Sequence, residues 1–211
     1  MPPTVNARIP LSLLEAVRRK DTPETDTEEE YVQELRNKRL GLSDTVYQQI
    51  RRYSDAAKRG YAIPYAEATG LGTLIGRRPD AAELFDNAGK ILANDVYESI
   101  SGTIRKTIHV VPSIFARPLA MSQLRQFAAR FFDGTLTKSG SSLALSISDS
   151  VTVNSGPHSV GCTYYASALR ELLRLLLSGG GGLVDHVSCL QRGDKLCEWR
   201  ADWRQQQSEA A

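Results

Sequence analysis

This chain of 211 residues contains only three cysteines, Cys162, Cys189 and Cys197, and a histidine, His186, stands three positions before the second of them. Three thiolates and one imidazole form the ligand set of a closed tetrahedral zinc site. The segment between the last two cysteines contains Arg192-Gly193-Asp194, which can turn the chain and bring its ends together. The spacing therefore predicts a structural zinc ion, since a metal with four protein ligands keeps no open position for a substrate.

Alternatives remain open at this site. Free cysteines are often no more than small buried hydrophobic residues, so three of them do not require a metal. His158, four residues before Cys162, is a rival for the imidazole ligand. In an ideal strand the side chains of His186 and Cys189 would point to opposite faces, because side chains alternate with a period of two. A shared site therefore requires a bulge or bend between these two residues.

Composition limits the classes of function. The net charge is +2 and 24% of the residues are charged, so the chain as a whole has no field that would hold nucleic acid or an anionic membrane. The odd number of cysteines and the lack of a charged-then-apolar leader argue against a secreted disulfide framework. The apolar stretches fall short of the roughly 20 residues that span a bilayer. We therefore expect a soluble protein of the cytoplasm.

The first part of the chain, residues 1–79, predicts an N-terminal helical extension that packs on the rest of the chain or on a second copy of it. Ser12 is expected to begin a short helix, and Thr22-Pro23-Glu24 has the form of another helix start. Ser43 is expected to cap a further helix, whose apolar residues recur at helical spacing and which ends near Gly60.

Two glycine-containing runs mark the middle of the chain. Gly70–Arg77 lacks the Gly-Lys-Ser/Thr ending of a phosphate-binding loop, so we interpret it as a loop or helix junction. Asn87-Ala88-Gly89-Lys90 lies inside a helical pattern that extends from Asp80 to Ile100, and we interpret it as a break or a close helix contact.

Residues 80–204 predict an α+β domain, in which an antiparallel sheet has helices packed against it. The long helix that begins after Cys162 has apolar residues on more than one face, so we expect burial on more than one side. A disordered tail is expected over residues 205–211. The other predicted elements are a strand over Thr107–Val111, a helix from Ser122 to Gly134, a hairpin of Thr135–Lys138 and Ser142–Ser148 that Val151–Val153 extends, and two last strands over Leu183–Val187 and Leu196–Arg200.

A longer pattern surrounds the cysteines. It runs from Gly134 through the apolar helix that Cys162 opens, and it ends in HVSCLQRGDKLCEW at residues 186–199. This pattern resembles the 4-vinyl reductase domain family over residues 80–200. That family includes the sensory domains of phenol-responsive bacterial activators and belongs to a superfamily shared with haem-nitric-oxide sensors and TRAPP-type tethering subunits. The most specific part is Cys-x-x-Gly-Asp-x-x-Cys-aromatic, which has one extra residue before the glycine in this chain.

The resemblance implies a mixed helix and antiparallel-sheet fold, an internal apolar pocket for a small hydrophobic or aromatic ligand, and a zinc site near that pocket. In the phenol sensors the metal ligands are three cysteines and a glutamate, and His186 occupies the place of that glutamate here. The pocket residues of the family do not carry over to this chain. His109, Phe131 and Tyr165 are candidates to line its pocket, and each also suits an ordinary structural position.

The function expected from these patterns is that of a small-molecule-binding sensory or regulatory domain with a structural zinc site, which forms a homodimer and acts through a signalling partner protein. Two alternatives remain: an accessory protein or reductase of (bacterio)chlorophyll biosynthesis, and a dimeric assembly or tethering subunit. No dinucleotide-binding fingerprint is present and the expected zinc shell is full, which argues against an enzyme without deciding the question. No DNA-binding motif is present, so no nucleic-acid partner is expected.

Overall fold

The structure is a computed structural model, and it describes residues 3–22, 40–177 and 182–202. Over these residues the fold is α+β, as predicted, with helices against antiparallel strands. The α-helices are α1 (Arg8–Asp21), α2 (Asp44–Arg59), α3 (Tyr65–Gly76), α4 (Ala81–Ser99), α5 (Gly102–Val110), α6 (Ser113–Phe132) and α7 (Thr163–Leu176). The β-strands are β1 (Thr4–Asn6), β2 (Ala62–Pro64), β3 (Thr135–Ser139), β4 (Ser142–Ile147), β5 (Val184–Ser188) and β6 (Cys197–Asp202).

The main sheet has four antiparallel strands in the order β3-β4-β6-β5, and β1 and β2 form a separate pair. In β4 the residues Leu143, Leu145 and Ile147 are buried and alternate with more exposed ones, which identifies one face of the sheet as the covered face. β4 pairs with β3 as a hairpin and with β6, where Ile147 lies opposite Cys197. The predicted hairpin and the two predicted last strands are confirmed.

Helices α4 and α7 pack closely against each other beside this sheet. A Cβ atom on Gly89 of α4 would lie 2.3 Å from the carbonyl oxygen of Tyr164 on α7, so only glycine allows the two backbones to come this near. The close helix contact is thus the correct interpretation of residues 87–90. Tyr164, Leu169 and Leu173 of α7 are all buried, and burial of this helix on more than one side is confirmed.

The N-terminal helices pack on the rest of the same chain. Ile9 and Val17 of α1 belong to the same apolar core as the sheet residues, whereas α2 packs on α1 through a smaller cluster that includes Ile50. At the end of α1, Asp21 accepts hydrogen bonds from Arg78 and from the backbone N–H of Gly41. A division of the chain near residue 79 stays a prediction. No described helix combines the length and apolar character that crossing a bilayer requires.

Several predicted element ends are confirmed or corrected at the N-terminal side. Ser43 caps α2, because its hydroxyl oxygen accepts the N–H of Val46, and Gly60 ends the helix in a left-handed conformation. Ser12 does not begin a helix: α1 starts at Arg8, and the Ser12 hydroxyl bonds within it to the carbonyl of Ile9. Residues 22–24 are described only up to Thr22, and the predicted tail at 205–211 lies outside the described residues.

The interpretation of Gly70–Arg77 as a loop or helix junction is wrong for most of its length, because α3 continues to Gly76. The glycines serve packing instead. A Cβ on Gly76 would lie 2.3 Å from the carbonyl oxygen of Ser155, and one on Gly72 would lie 2.6 Å from the Ser155 hydroxyl oxygen. The small residues therefore let α3 contact the segment that leads to Cys162.

Two further predictions in the middle of the chain are wrong, and a third is right except for its start. Thr107–Val111 is not a strand but falls at the end of α5, because the preference of β-branched residues for strands is weak and tertiary packing overrides it. The helix predicted from Ser122 to Gly134 is present, but it begins earlier, at Ser113, and contains Pro118. Val151–Val153 forms turns and does not extend the hairpin.

Candidate metal centre

Cys162, His186, Cys189 and Cys197 come together where the start of α7 meets β5 and β6. Each offers one ligand atom, and these atoms all lie within 4.8 Å of one another. Cys162 Sγ and Cys189 Sγ are 3.7 Å apart, which is too far for a disulfide of about 2.05 Å. Two thiolates on one tetrahedral zinc ion would be about 3.8 Å apart, because each Zn–S bond is about 2.3 Å long. The sulfur spacing therefore fits metal ligation.

A tight turn brings Cys189 and Cys197 side by side. The Arg192 and Asp194 N–H groups both donate to the carbonyl of Cys189, and Gly193 takes a φ of 91°, which favours glycine. The Asp194 carboxylate accepts the N–H of Cys189 at 2.7 Å. The turn predicted from the Arg-Gly-Asp sequence is thus present, and it fixes the backbone around both thiols.

The bulge that the site requires lies in β5. His186 pairs with Trp199 and Ser188 pairs with Glu198, so the register of β5 against β6 shifts between His186 and Ser188. The shift breaks the strict alternation of side chains, which lets His186 and Cys189 face the same centre. The His186 ring stacks on the Trp199 ring at 5.0 Å between centroids and 14° between planes.

His186 has an unused nitrogen in this position. Its Nε2 is buried and has no hydrogen-bond partner among the described residues. A buried polar atom without a partner is costly, and such atoms call for a bound ion or water. Since a ring nitrogen of His186 also lies within 4.8 Å of the three cysteine sulfurs, the imidazole fits the fourth position of a metal site.

The thiols do not share charge equally. A hydrogen bond from the Cys162 thiol lowers the pKa of Cys197 to about 5; burial opposes this shift, and the Leu190 N–H and His186 support it. The hydrogen bond to Cys197, followed by burial, raises the pKa of the Cys162 thiol far above its usual value. Cys197 is therefore the natural thiolate of the cluster, and Cys162 needs a positive charge nearby in order to ionise.

The loop before α7 holds the cluster from the other side. The Ser159 hydroxyl lies 3.1 Å from Cys189 Sγ, and the Ser159 N–H donates to the side-chain oxygen of Gln191. Gln191 in turn donates to the carbonyl of Gly156 at 2.9 Å. His158 and Ser159 both have positive φ angles, 54° and 58°. Backbone strain of this kind persists only where surrounding contacts fix it.

His158 does not belong to the four-residue cluster. It lines a cleft of about 680 Å³ that opens beside the cluster. The cleft lies between the turn that joins α3 to α4, the loop before α7, and α7 itself. Its wall includes two of the candidate metal ligands, Cys162 and His186, together with Trp199.

The predicted pocket residues lie in three different settings. His109 is exposed on α5, where its Nε2 is 2.9 Å from the Tyr97 hydroxyl. Phe131 lines a cavity of about 240 Å³ that has neither His109 nor Tyr165 in its wall. Tyr165 is 2% exposed and its ring contacts Phe132 and Trp199.

Sequence reasoning named Trp199 and Asp194 only as parts of the motif and the turn, and it gave no role to Ser159 or Gln191. Trp199 carried a usable signal, because it stands two positions after Cys197 on a strand and so must share its face. Asp194 carried a weaker one, as an acidic residue next to the turn glycine. Ser159 and Gln191 are 32 positions apart, and no local pattern connects them.

Comparisons with protein families, with curated proteins and with solved structures found no match for this chain. The resemblance to the 4-vinyl reductase domain family therefore stays a prediction.

Proposed function

We propose that Cys162, His186, Cys189 and Cys197 bind one zinc ion, and that the zinc is structural. The soft donor set of three sulfurs and one nitrogen suits zinc better than magnesium or calcium, which prefer oxygen ligands. The 3.7 Å sulfur spacing and the unpartnered Nε2 of His186 support the same choice. Four protein ligands leave no position for a substrate, and the ion would tie the start of α7 to the bulge of β5 and the start of β6.

The zinc experiment compares two histidine variants. Wild-type protein should purify with one zinc per chain by elemental mass spectrometry, and His186→Ala should lose most of it or bind it at least tenfold more weakly, on the order of a lost ligand. His158→Ala is the matched control and should keep full zinc, because His158 lies in the cleft wall outside the cluster. Full zinc in His186→Ala, or no zinc in the wild type, would contradict the assignment.

We further propose that the protein is a small-molecule-binding regulatory domain and that its ligand occupies the 680 Å³ cleft. The observation that carries this proposal is that Cys162 and His186 belong both to the cluster and to the cleft wall. The cleft volume lies in the range of about 300–1,000 Å³ that small-molecule sites occupy. Alanine, proline and valine side chains and the Trp199 ring supply apolar contact, so a small aromatic compound suits it.

In this arrangement the zinc would act through position and not through chemistry. It would hold the Cys162 end of α7 and the His186 bulge of β5 at a fixed separation, and both form part of the cleft wall. Removal of the metal would free these two segments, so ligand affinity should fall with zinc content. The family resemblance, which implies a zinc site near a ligand pocket, points in the same direction.

The ligand experiment uses phenol, indole and 2-naphthol as probes. A ligand at 100 times its dissociation constant stabilises the native state by about 2.7 kcal/mol. This raises the melting temperature of a chain of this length by about 5–10 °C. Ala82→Trp should abolish the rise by filling the cleft, while Ala129→Trp, another exposed helix alanine outside it, should not. If no probe binds, or if Ala82→Trp binds as well as wild type, the ligand proposal fails while the zinc proposal still stands.

A further inference from the structure

An apolar corner on the surface joins α5 to α6. Two extended residues, Val111 and Pro112, link the helices, and large apolar side chains flank the link. The exposed fractions are 82% for Val110, 72% for Ile114 and 68% for Phe115. Isolated exposed apolar residues are ordinary, but three within six positions at one helix–helix corner are typical of a surface that binds a partner. We call Val110, Ile114 and Phe115 the apolar tip.

The helices that carry the apolar tip are strongly basic. Residues 99–132 contain five Lys and Arg residues and no Asp or Glu, so this segment carries +5 in a chain whose net charge is only +2. Among the described residues, no carboxylate forms an ion pair with Arg105, Lys106, Arg125 or Arg130. The small net charge of the whole chain therefore does not describe these two helices, and Lys106 is an exposed cation of α5 close to the tip in sequence.

The charge decides between the surfaces that could cover the tip. A second copy in a two-fold contact would meet the same patch and bring like charges together, which disfavours self-association. Nucleic acid phosphates would bind the basic side chains, but Val110 and Ile114 would make no favourable contact with it, because aliphatic side chains cannot stack on bases. An anionic bilayer matches both properties, because its phosphates attract Lys and Arg and its acyl boundary accepts apolar side chains.

We propose that the α5–α6 corner is a peripheral membrane-binding site. The apolar tip inserts into the surface of a bilayer that contains anionic lipids, and Lys106, which is exposed one helical turn before Val110, lies at the level of the lipid phosphates. Such binding needs no helix that crosses the bilayer, and it is independent of the zinc and cleft proposals.

The experiment measures co-sedimentation of the full chain with vesicles. Wild type should bind vesicles of equal parts phosphatidylcholine and phosphatidylserine, and should bind phosphatidylcholine vesicles at least tenfold more weakly, because each basic residue near an anionic surface contributes about fivefold. Higher salt should weaken binding by screening. Phe115→Ala should weaken it at least about tenfold, since burial of a phenylalanine side chain is lost. Lys106→Gln should weaken it about fivefold on the mixed vesicles alone.

Matched controls separate the patch from general surface properties. Leu74→Ala removes an apolar side chain that is 53% exposed on α3, and Lys58→Gln removes an exposed cation on α2; neither should change vesicle binding. All four variants should melt close to wild type, because the replaced side chains are exposed. A Phe115→Trp variant adds a direct readout, with a blue shift of its emission and quenching by brominated lipid on insertion.

Equal binding to neutral and anionic vesicles would overturn the proposal. So would full binding by Phe115→Ala, or a tip that tryptophan emission places in water while vesicles are bound. Dimerisation that Phe115→Ala abolishes, in protein that ignores vesicles, would assign the tip to a second copy instead and would also refute the membrane site.

Discussion

The close contact between α4 and α7 yields a quantitative prediction for Gly89→Ala. The added Cβ would lie 2.3 Å from the carbonyl oxygen of Tyr164 and 2.9 Å from the N of Ala168, and both are backbone atoms that cannot rotate away. To reach an ordinary contact of 3.4 Å, the two helices must separate by about 1 Å. Overpacking of this kind costs about 1–3 kcal/mol.

Alanine also has a better helix propensity than glycine, by up to about 1 kcal/mol, and this gain offsets part of the strain. Gly70→Ala isolates that gain, because Gly70 is also helical, is exposed, and has nothing within 4 Å of its Cβ position. We expect Gly70→Ala to gain up to about 1 kcal/mol. Gly89→Ala should lose up to about 2 kcal/mol after this offset, and the two variants should differ by the strain alone, about 1–3 kcal/mol.

Urea unfolding followed by circular dichroism gives the free energies, and a thermal scan should show Gly89→Ala melting up to about 8 °C below wild type. Tyr164 stands two residues after Cys162, so displacement of α7 should also speed the loss of the proposed zinc ion to a chelator. If Gly89→Ala proved as stable as Gly70→Ala, the proposed close approach of the two helix backbones would be refuted.

Two more predictions follow from single contacts. Burial alone would raise the pKa of Asp21, but the hydrogen bonds from Arg78 and Gly41 outweigh it, so the pKa lies below its ordinary value of 3.8. Asp21→Asn should therefore lower the free energy of unfolding by about 1–3 kcal/mol near pH 7. A carboxyl group whose pKa is lowered in the folded state stabilises the fold at any pH above its unfolded pKa, and this contribution is lost as the pH falls through the folded pKa. The difference in unfolding free energy between wild type and Asp21→Asn should therefore shrink below pH 3.8. A constant difference down to pH 2 would contradict this. Gly193→Ala should cost about 1–2 kcal/mol of unfolding free energy through its left-handed φ, and it should weaken the proposed zinc binding in a chelator competition. Gly193→Asn should cost less, and equal zinc affinity of all three proteins would exclude strain at this turn.

The candidate metal ligands could be predicted because cysteine is scarce in this chain and each thiol has few other uses. The need for a bulge could be predicted as well, because His186 and Cys189 cannot share a face of a regular strand. The structure has the shift between His186 and Ser188. The ligand set and the bulge could both be inferred because residue spacing and side-chain alternation act over a few residues, where sequence patterns are most informative.

Other features depend on contacts between distant segments. The cleft combines the turn after Gly76 with the loop that begins at Pro157, and nothing in either segment alone indicates the other. The glycines of α3 were misinterpreted for the same reason, since their role is to admit the Ser155 backbone. The strand predicted over Thr107–Val111 is wrong for a different reason. Its β-branched residues favour a strand, but only Ile108 is buried and the segment continues a helix.

The strand order β3-β4-β6-β5 has a consequence for biosynthesis. β6 comes after every other described strand in the chain, yet it sits between β4 and β5 in the sheet. While the nascent chain emerges from the ribosome, β4 keeps an unpaired edge and β5 has no neighbour, until Cys197–Asp202 arrives to fill the gap. The same segment delivers the last of the four candidate metal ligands, so the sheet and the candidate metal centre become complete together, and until then the exposed edge is open to chaperones or to aggregation.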